Sequence, residues 1–114
     1  MKSGKVWGVT RLIYQGPFVE FHRAEIKAGA FCSKHMHRHK WNGFFVESGV
    51  LKIKAWKSGY DLIDETILTA GDFTAIPPLE KHLFECIEDC VCFEVYWPEF
   101  RAEDIVRETV GGVQ

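Results

Sequence analysis

Residues 29–49 read GAFCSKHMHRHKWNGFFVESG and hold three of the five histidines in the chain, His35, His37 and His39. In an extended segment, residues two apart project to the same side. His35 and His37 therefore share a face, with their ring nitrogens close enough to meet one cation. A third donor has to come from another segment. His82 is the natural candidate, because it opens a strand directly after the Pro77-Pro78 turn. Imidazole serves zinc, iron, copper, nickel and manganese in differing degrees, so the donors alone do not name the metal. His39 has the parity of His37 but stands where the extended run ends, at the rim of a pocket or behind the ligands.

The sequence on either side is a series of short apolar runs cut by turn residues. Strands are predicted in VTRLIYQGP (9–17), FVEFHRAEIKAG (18–29), AFCSKHMH (30–37) and GFFVESG (43–49). Ser48-Gly49 is read as a tight turn into VLKIKAW (50–56), and Lys57-Ser58-Gly59 as the next turn. YDLIDETIL (60–68) leads to a turn at Ala70-Gly71-Asp72 and then to FTAI (73–76). HLFECI (82–87) and VCFEVYW (91–97) form a last pair joined near Glu88-Asp89. This spacing of short strands signals an all-β sandwich or barrel. Beyond Pro98, EFRAEDIVRET (99–109) has the spacing of a short C-terminal helix through Phe100, Ile105 and Val106, with acids near its start.

Composition narrows the function. The 114 residues suit one domain spanning 1–114, with 46% apolar residues to fill its core. Fourteen Lys and Arg against sixteen Asp and Glu leave no basic stripe for nucleic acid or an anionic membrane. No apolar run is long enough to span a bilayer, and MKSGKVWGVT lacks the apolar centre of a signal peptide. A cytoplasmic location is the expectation. Cys32, Cys86, Cys90 and Cys92 contain no CxxC pair and read as buried, reduced thiols. The exposed edges of a small barrel invite pairing, so a homodimer is expected.

Gly29, His35, His37, Asn42 and Gly49 resemble the first motif of the cupin superfamily: glycine, five residues, His-x-His, four residues, a carboxylate, six residues, glycine. GDFTAIPPLEKH (71–82) resembles the second, with Gly71, Pro77 and His82 at the family's intervals. Leu79 stands where the family has glycine and Cys86 where it has asparagine. KVWG (5–8), MHRH (36–39), ESGVLKI (47–53), AIPPLEKH (75–82) and EDIVRET (103–109) are together similar to the C-terminal cupin domain of type II mannose-6-phosphate isomerases, also linked to mannose-1-phosphate guanylyltransferases. The resemblance implies a cupin double-stranded β-helix (jelly-roll barrel), a divalent metal ion (Fe, Mn, Zn, Ni or Co) and a small sugar or anionic ligand.

Asn42 departs from the family's carboxylate. Its amide oxygen is neutral and a weak donor to a borderline metal, so it is expected at the metal either as a fourth ligand or bonded to a bound water. The missing charge leaves the metal more electrophilic and favours anionic ligands. If Asn42 faces inward, so do Phe44 and Val46, and Glu47 faces out. If His82 faces inward, so do Phe84 and Cys86, and Glu85 faces out. The parity of Glu94 is open, which leaves it a candidate interior base beside His39. Lys5 and Arg11 are candidates to meet a phosphate. Three functions fit these residues: isomerase-like chemistry on a sugar phosphate, a metal-dependent dioxygenase of the three-histidine type, and a non-catalytic metal- and ligand-binding module.

Overall fold

Two long antiparallel strands form the spine of the molecule. β4 (Lys40–Trp56) and β7 (Lys81–Pro98) pair along their whole length, from Lys40↔Pro98 to Trp56↔Lys81. The computed structural model describes residues 2–57, 62–99 and 103–114. The remaining strands are β1 (Lys2–Lys5), β2 (Gly8–Gln15), β3 (Glu20–Ile26), β5 (Ile63–Leu68) and β6 (Phe73–Ile76). The strand order is β1-β2-β3-β7-β4-β5, with β6 on the N-terminal half of β4, and every pairing is antiparallel.

The spine bends in the middle, and this makes one sheet into two layers. Register shifts fall at Val46/Ser48, Ser48/Val50 and Val50/Leu51, and such bulges bend a strand and sharpen its twist. Gly49 lies among them at φ 85°, in the left-handed region, where a Cβ would sit 2.1 Å from the Asp89 carbonyl oxygen. Ser48-Gly49 is therefore the kink of one continuous strand, not the turn between two. The expected join at Glu88-Asp89 is likewise the facing kink of β7. The ladder resumes on both sides of the bend, at Val46↔Cys92 and Leu51↔Cys86, so one strand pair serves both layers.

Bending brings the inward residues of both halves into one core. Ala24, Ile26, Phe44 and Val46 from one layer meet Leu51, Ile53 and Phe84 from the other, all at most 2% exposed. Burying each large side chain contributes about 1.5–3 kcal/mol. The inward parity holds as predicted for Asn42, Phe44, Val46, His82, Phe84 and Cys86, while Glu47 is exposed. The four cysteines are buried and unpaired.

Two further expectations fail. Residues 30–37 form no strand. They touch β7 through two isolated bridges, Phe31↔Glu85 and His35↔His82. Three residues separate the bridges on one side and two on the other, so one extra residue breaks the ladder. The short C-terminal helix is also absent from the described residues. Residues 103–114 are exposed and non-helical, and Ile105 and Val106 are 55% and 95% exposed. Phe100, part of that expected pattern, lies outside the described residues. A short helix that buries no apolar face is marginal in water. No helix among the described residues is long and apolar enough to cross a membrane.

Gly49→Ala is expected to lower stability by at least about 2 kcal/mol, because it combines left-handed strain with a backbone clash. Gly71→Ala, at φ 89° with open space around it, should cost only about 1–2 kcal/mol of strain. Urea midpoints of the two variants check the ranking, and equal losses would contradict it.

Candidate metal centre

His35 and His82 are joined by a reciprocal backbone pair. The His35 N–H donates to the His82 carbonyl at 3.0 Å, and the His82 N–H to the His35 carbonyl at 2.8 Å. This pair fixes the two imidazoles side by side, with ring centroids 4.6 Å apart. His37 follows two residues on, its centroid 5.0 Å from His35 and 5.5 Å from His82. Its carbonyl accepts the Leu79 N–H at 2.7 Å, which ties the histidine segment to the turn before His82. One nitrogen from each ring lies within 4.8 Å of those of the other two.

The outer nitrogens are already used. His35 Nδ1 meets the Ser33 carbonyl at 2.7 Å, and His82 Nδ1 meets the Glu80 carbonyl at 2.9 Å. A carbonyl only accepts, so both Nδ1 atoms carry the proton. In a neutral ring this leaves Nε2 with its lone pair free, the arrangement that orients a metal-binding imidazole. His82 Nε2 faces Asn42 Oδ1 at 3.1 Å. Two lone pairs then point at the same space. A cation between them relieves the repulsion, as does an amide turned so that Nδ2 donates. His37 Nε2 is buried without a hydrogen-bond partner among the described residues. A buried orphan nitrogen costs about 1–3 kcal/mol, and a metal ion would satisfy it. The donor set thus fits a divalent cation held by His35, His37 and His82, with Asn42 beside it.

A cavity of about 270 Å³ opens on the His35–Asn42 side. Its walls include Trp7, Phe44 and Phe84, and its polar groups include Lys5, His22 and Glu94. The inward parity of Glu94, open from the sequence, is settled by its register partner His22 and its place in this lining. The Tyr96 hydroxyl donates to the Glu94 carboxylate. Burial pushes that carboxyl above the ordinary range, against the lowering effect of the Tyr96 hydrogen bond. The His22 ring packs edge-on against Tyr96 at 5.7 Å. Its position opposite Glu94 across a strand pair was the signal in the sequence for a cavity role, legible only once the β3–β7 register is known.

Other candidates fall elsewhere. His39 is exposed and is not among the residues lining the cavity. Arg11 lies on the opposite face of β2, beside Arg23 and Glu25.

No family model and no curated protein sequence matches the chain. Solved structures do match its fold. KdgF from Halomonas sp. superposes with a TM-score of 0.74 at 16% identity, over 88% of this chain and 89% of that one. The cupin domain of Cnp3 from Schizosaccharomyces pombe gives 0.69 at 11% identity, over 80% and 64%. The chain has the cupin fold. A formate complex of Lactobacillus farciminis oxalate decarboxylase gives 0.76 at 17% identity, over 91% of this chain and 32% of that one, so the present cupin spans about a third of that enzyme. Identities this low speak of architecture and carry no chemistry.

Leu79, at φ 70° and 61% exposed, occupies a left-handed position in the turn that presents His82. Leu79→Gly is expected to raise stability by up to about 1 kcal/mol, since glycine adopts this conformation without strain. An unchanged or lower thermal midpoint would contradict the strain.

Burial, aided by the charges of His35 and Lys40, holds His37 down to about 4 from an ordinary 6.5, and burial lowers His82 as well. The unfolded chain therefore binds protons that the metal-free site refuses. Stability of chelator-treated protein should fall as the pH drops from about 6.5 towards 4. Thermal midpoints across that window check this, and His37→Ala should flatten the slope. Identical slopes would contradict the shift.

Proposed function

We propose that this cupin is a metal-dependent enzyme acting on a small sugar or sugar phosphate, with His35, His37 and His82 holding a divalent ion of the iron, manganese, zinc, nickel or cobalt class. One observation carries the reading: three imidazole nitrogens converge beside a cavity that His35 and Glu94 both line. The bound metal would supply Lewis-acid polarisation of a carbonyl or hydroxyl oxygen. The chain supplies the rest. Glu94, with its carboxyl raised by burial and held by Tyr96, takes the proton from the hydroxyl-bearing carbon next to the carbonyl and returns it to the former carbonyl carbon, while the hydroxyl proton passes to the former carbonyl oxygen. Tyr96 fixes the carboxyl and keeps its lone pairs aimed. Lys5 stands at the cavity, where a phosphate or other anion finds a counter-charge. Trp7, Phe44 and Phe84 limit water. The resemblance of the short motifs KVWG, MHRH, ESGVLKI, AIPPLEKH and EDIVRET to those of isomerase cupin domains favours this class, and four unpaired thiols favour a reducing, cytoplasmic setting.

A second reading has its own support. Three imidazoles with neutral Asn42 in the carboxylate position also suit iron(II) oxygen chemistry, as in three-histidine dioxygenases. Oxygen uptake by iron-loaded protein with small thiols separates the two.

The main test is a pair of measurements. Elemental mass spectrometry should find about one divalent ion per wild-type chain and loss of most of it in His82→Ala. Metal-loaded wild type should convert mannose 6-phosphate to fructose 6-phosphate, and Glu94→Gln should keep its metal while losing at least about 100-fold in rate. Equal metal in wild type and His82→Ala would overturn the site. Sugar binding without turnover would leave a binding module.

A further inference from the structure

Three of the four cysteines gather at the kink of β7. Cys86, Cys90 and Cys92 all face inward and are at most 3% exposed. In a straight strand Cys86 and Cys90 would stand about 14 Å apart. The kink at Glu88-Asp89 shortens that span. The Cys86 thiol donates to the Glu88 carbonyl at 2.9 Å and meets the Ile26 carbonyl at 3.5 Å. Ile26 is the residue directly opposite Cys90 in the β3–β7 register. The Cys90 sulfur has a thiol partner on each side, Cys92 and Cys86. Gly49 of β4 makes room for this turn, since a Cβ there would fall 2.7 Å from the Cys90 Cα.

Cys90 borders open space. It lines a second cavity of about 330 Å³ together with Gly8, Lys27, Ser48 and Asp89, and neither Cys86 nor Cys92 is among the lining residues. This cavity shares no lining residue with the one beside the histidines. A water molecule takes about 30 Å³, so the space admits hydrogen peroxide or a small organic hydroperoxide. The three thiols also differ in acidity. The hydrogen bond from Cys92 holds Cys90 below an ordinary thiol, against the effect of burial. Burial pushes Cys86 up to about 11, and the charges of Cys90 and Asp89 add to it. Cys92 is raised by its hydrogen bond to Cys90 and by burial. The thiolate is the attacking form, so Cys90 is the thiol placed to react.

We propose that Cys90 is a site of oxidation by small peroxides, and that Cys86 closes a reversible disulfide with it across the kink of β7. The Cys90 thiolate attacks one peroxide oxygen. The O–O bond breaks, a sulfenic acid forms on Cys90, and the other oxygen takes up a proton and leaves as water, or as an alcohol from a hydroperoxide. The Cys86 sulfur then attacks the Cys90 sulfur. The S–S bond forms, the S–O bond breaks, and the leaving hydroxide departs as water with the Cys86 proton. Two electrons pass from the thiol pair to the peroxide, and a small thiol returns them on reduction. Cys92 cannot take the place of Cys86. Between Cys90 and Cys92 the register against Ile26 and Ala24 is unbroken. Alternate residues of such a strand stand about 6.8 Å apart with parallel Cα–Cβ bonds, whereas a disulfide brings its Cβ atoms to about 3.8 Å. The kink frees Cys86 from that limit. A thiolate at a cavity wall with a resolving thiol beside it is the arrangement of cysteines that respond to oxidants.

Mass spectrometry of protein treated with hydrogen peroxide tests the proposal. Wild type should lose two hydrogens, with the bridge mapped between Cys86 and Cys90, and a small thiol should restore the mass. Oxidation at Cys90 should run at least about ten-fold faster than at Cys32, whose thiol burial pushes up to about 11. Cys86→Ser should stop at a sulfenic acid on Cys90, captured by dimedone. Cys90→Ala, with unchanged circular dichroism, should give neither bridge nor adduct. The bridge should form equally in protein as purified and after chelator treatment, which separates its fate from that of the metal centre. A bridge from Cys90 to Cys92, first oxidation at Cys32, or a bridge that needs the metal would overturn the proposal. So would four thiols that stay reduced under peroxide that consumes free cysteine.

Discussion

The reciprocal hydrogen bonds between the backbones of His35 and His82 are the constraint on which the site depends. They join segments 47 residues apart in sequence and set the two imidazoles side by side, 4.6 Å apart. Once they are in place, the two-residue step to His37 brings a third ring onto the same side. The pair sits at an isolated bridge, and the ladder around it is interrupted by one extra residue. That interruption has a use. A regular strand would place His35 and His37 in a flat row, whereas the irregular segment lets both rings tilt towards His82.

The bent spine does the complementary work. Its bulges at residues 46–51 fold the sheet so that both halves of β7 line one interior. The first half contributes His82, the second Glu94 and Tyr96. Glu94 therefore lines the cavity with His35 and Asn42, while His82, on the same strand, packs against Asn42. The interior holds polar groups at a cost. A buried nitrogen on His37 has no partner among the described residues and a carboxyl is held away from bulk water. Such groups persist where the surrounding packing enforces them, and they concentrate at sites of chemistry.

The sequence was most legible where side-chain spacing alone decides geometry. The period-two relation of His35 and His37, the inward parity of Asn42, Phe44 and Val46, and the strands at 9–15, 63–68 and 73–76 all follow from local pattern. The kinks at Gly49 and Asp89 look like hairpin turns in sequence, because a left-handed glycine serves a bulge as well as a turn. The tail at 103–109 has helical spacing but no surface on which to bury it. Glu94 and His22 became interpretable only through the β3–β7 register, a long-range pairing that no local window contains. His39, two residues past His37 and of the same parity, shows the reverse: the pattern continues while the extended backbone does not.

The central claim is that one cation is held by three imidazoles and no thiolate, although Cys32 lines the adjoining cavity. X-ray absorption spectroscopy of zinc-loaded protein tests it directly. The account predicts a first shell of nitrogen and oxygen alone, with outer-shell scattering from the rings of His35, His37 and His82. Sulfur in the first shell, or scattering from a single ring, would contradict it.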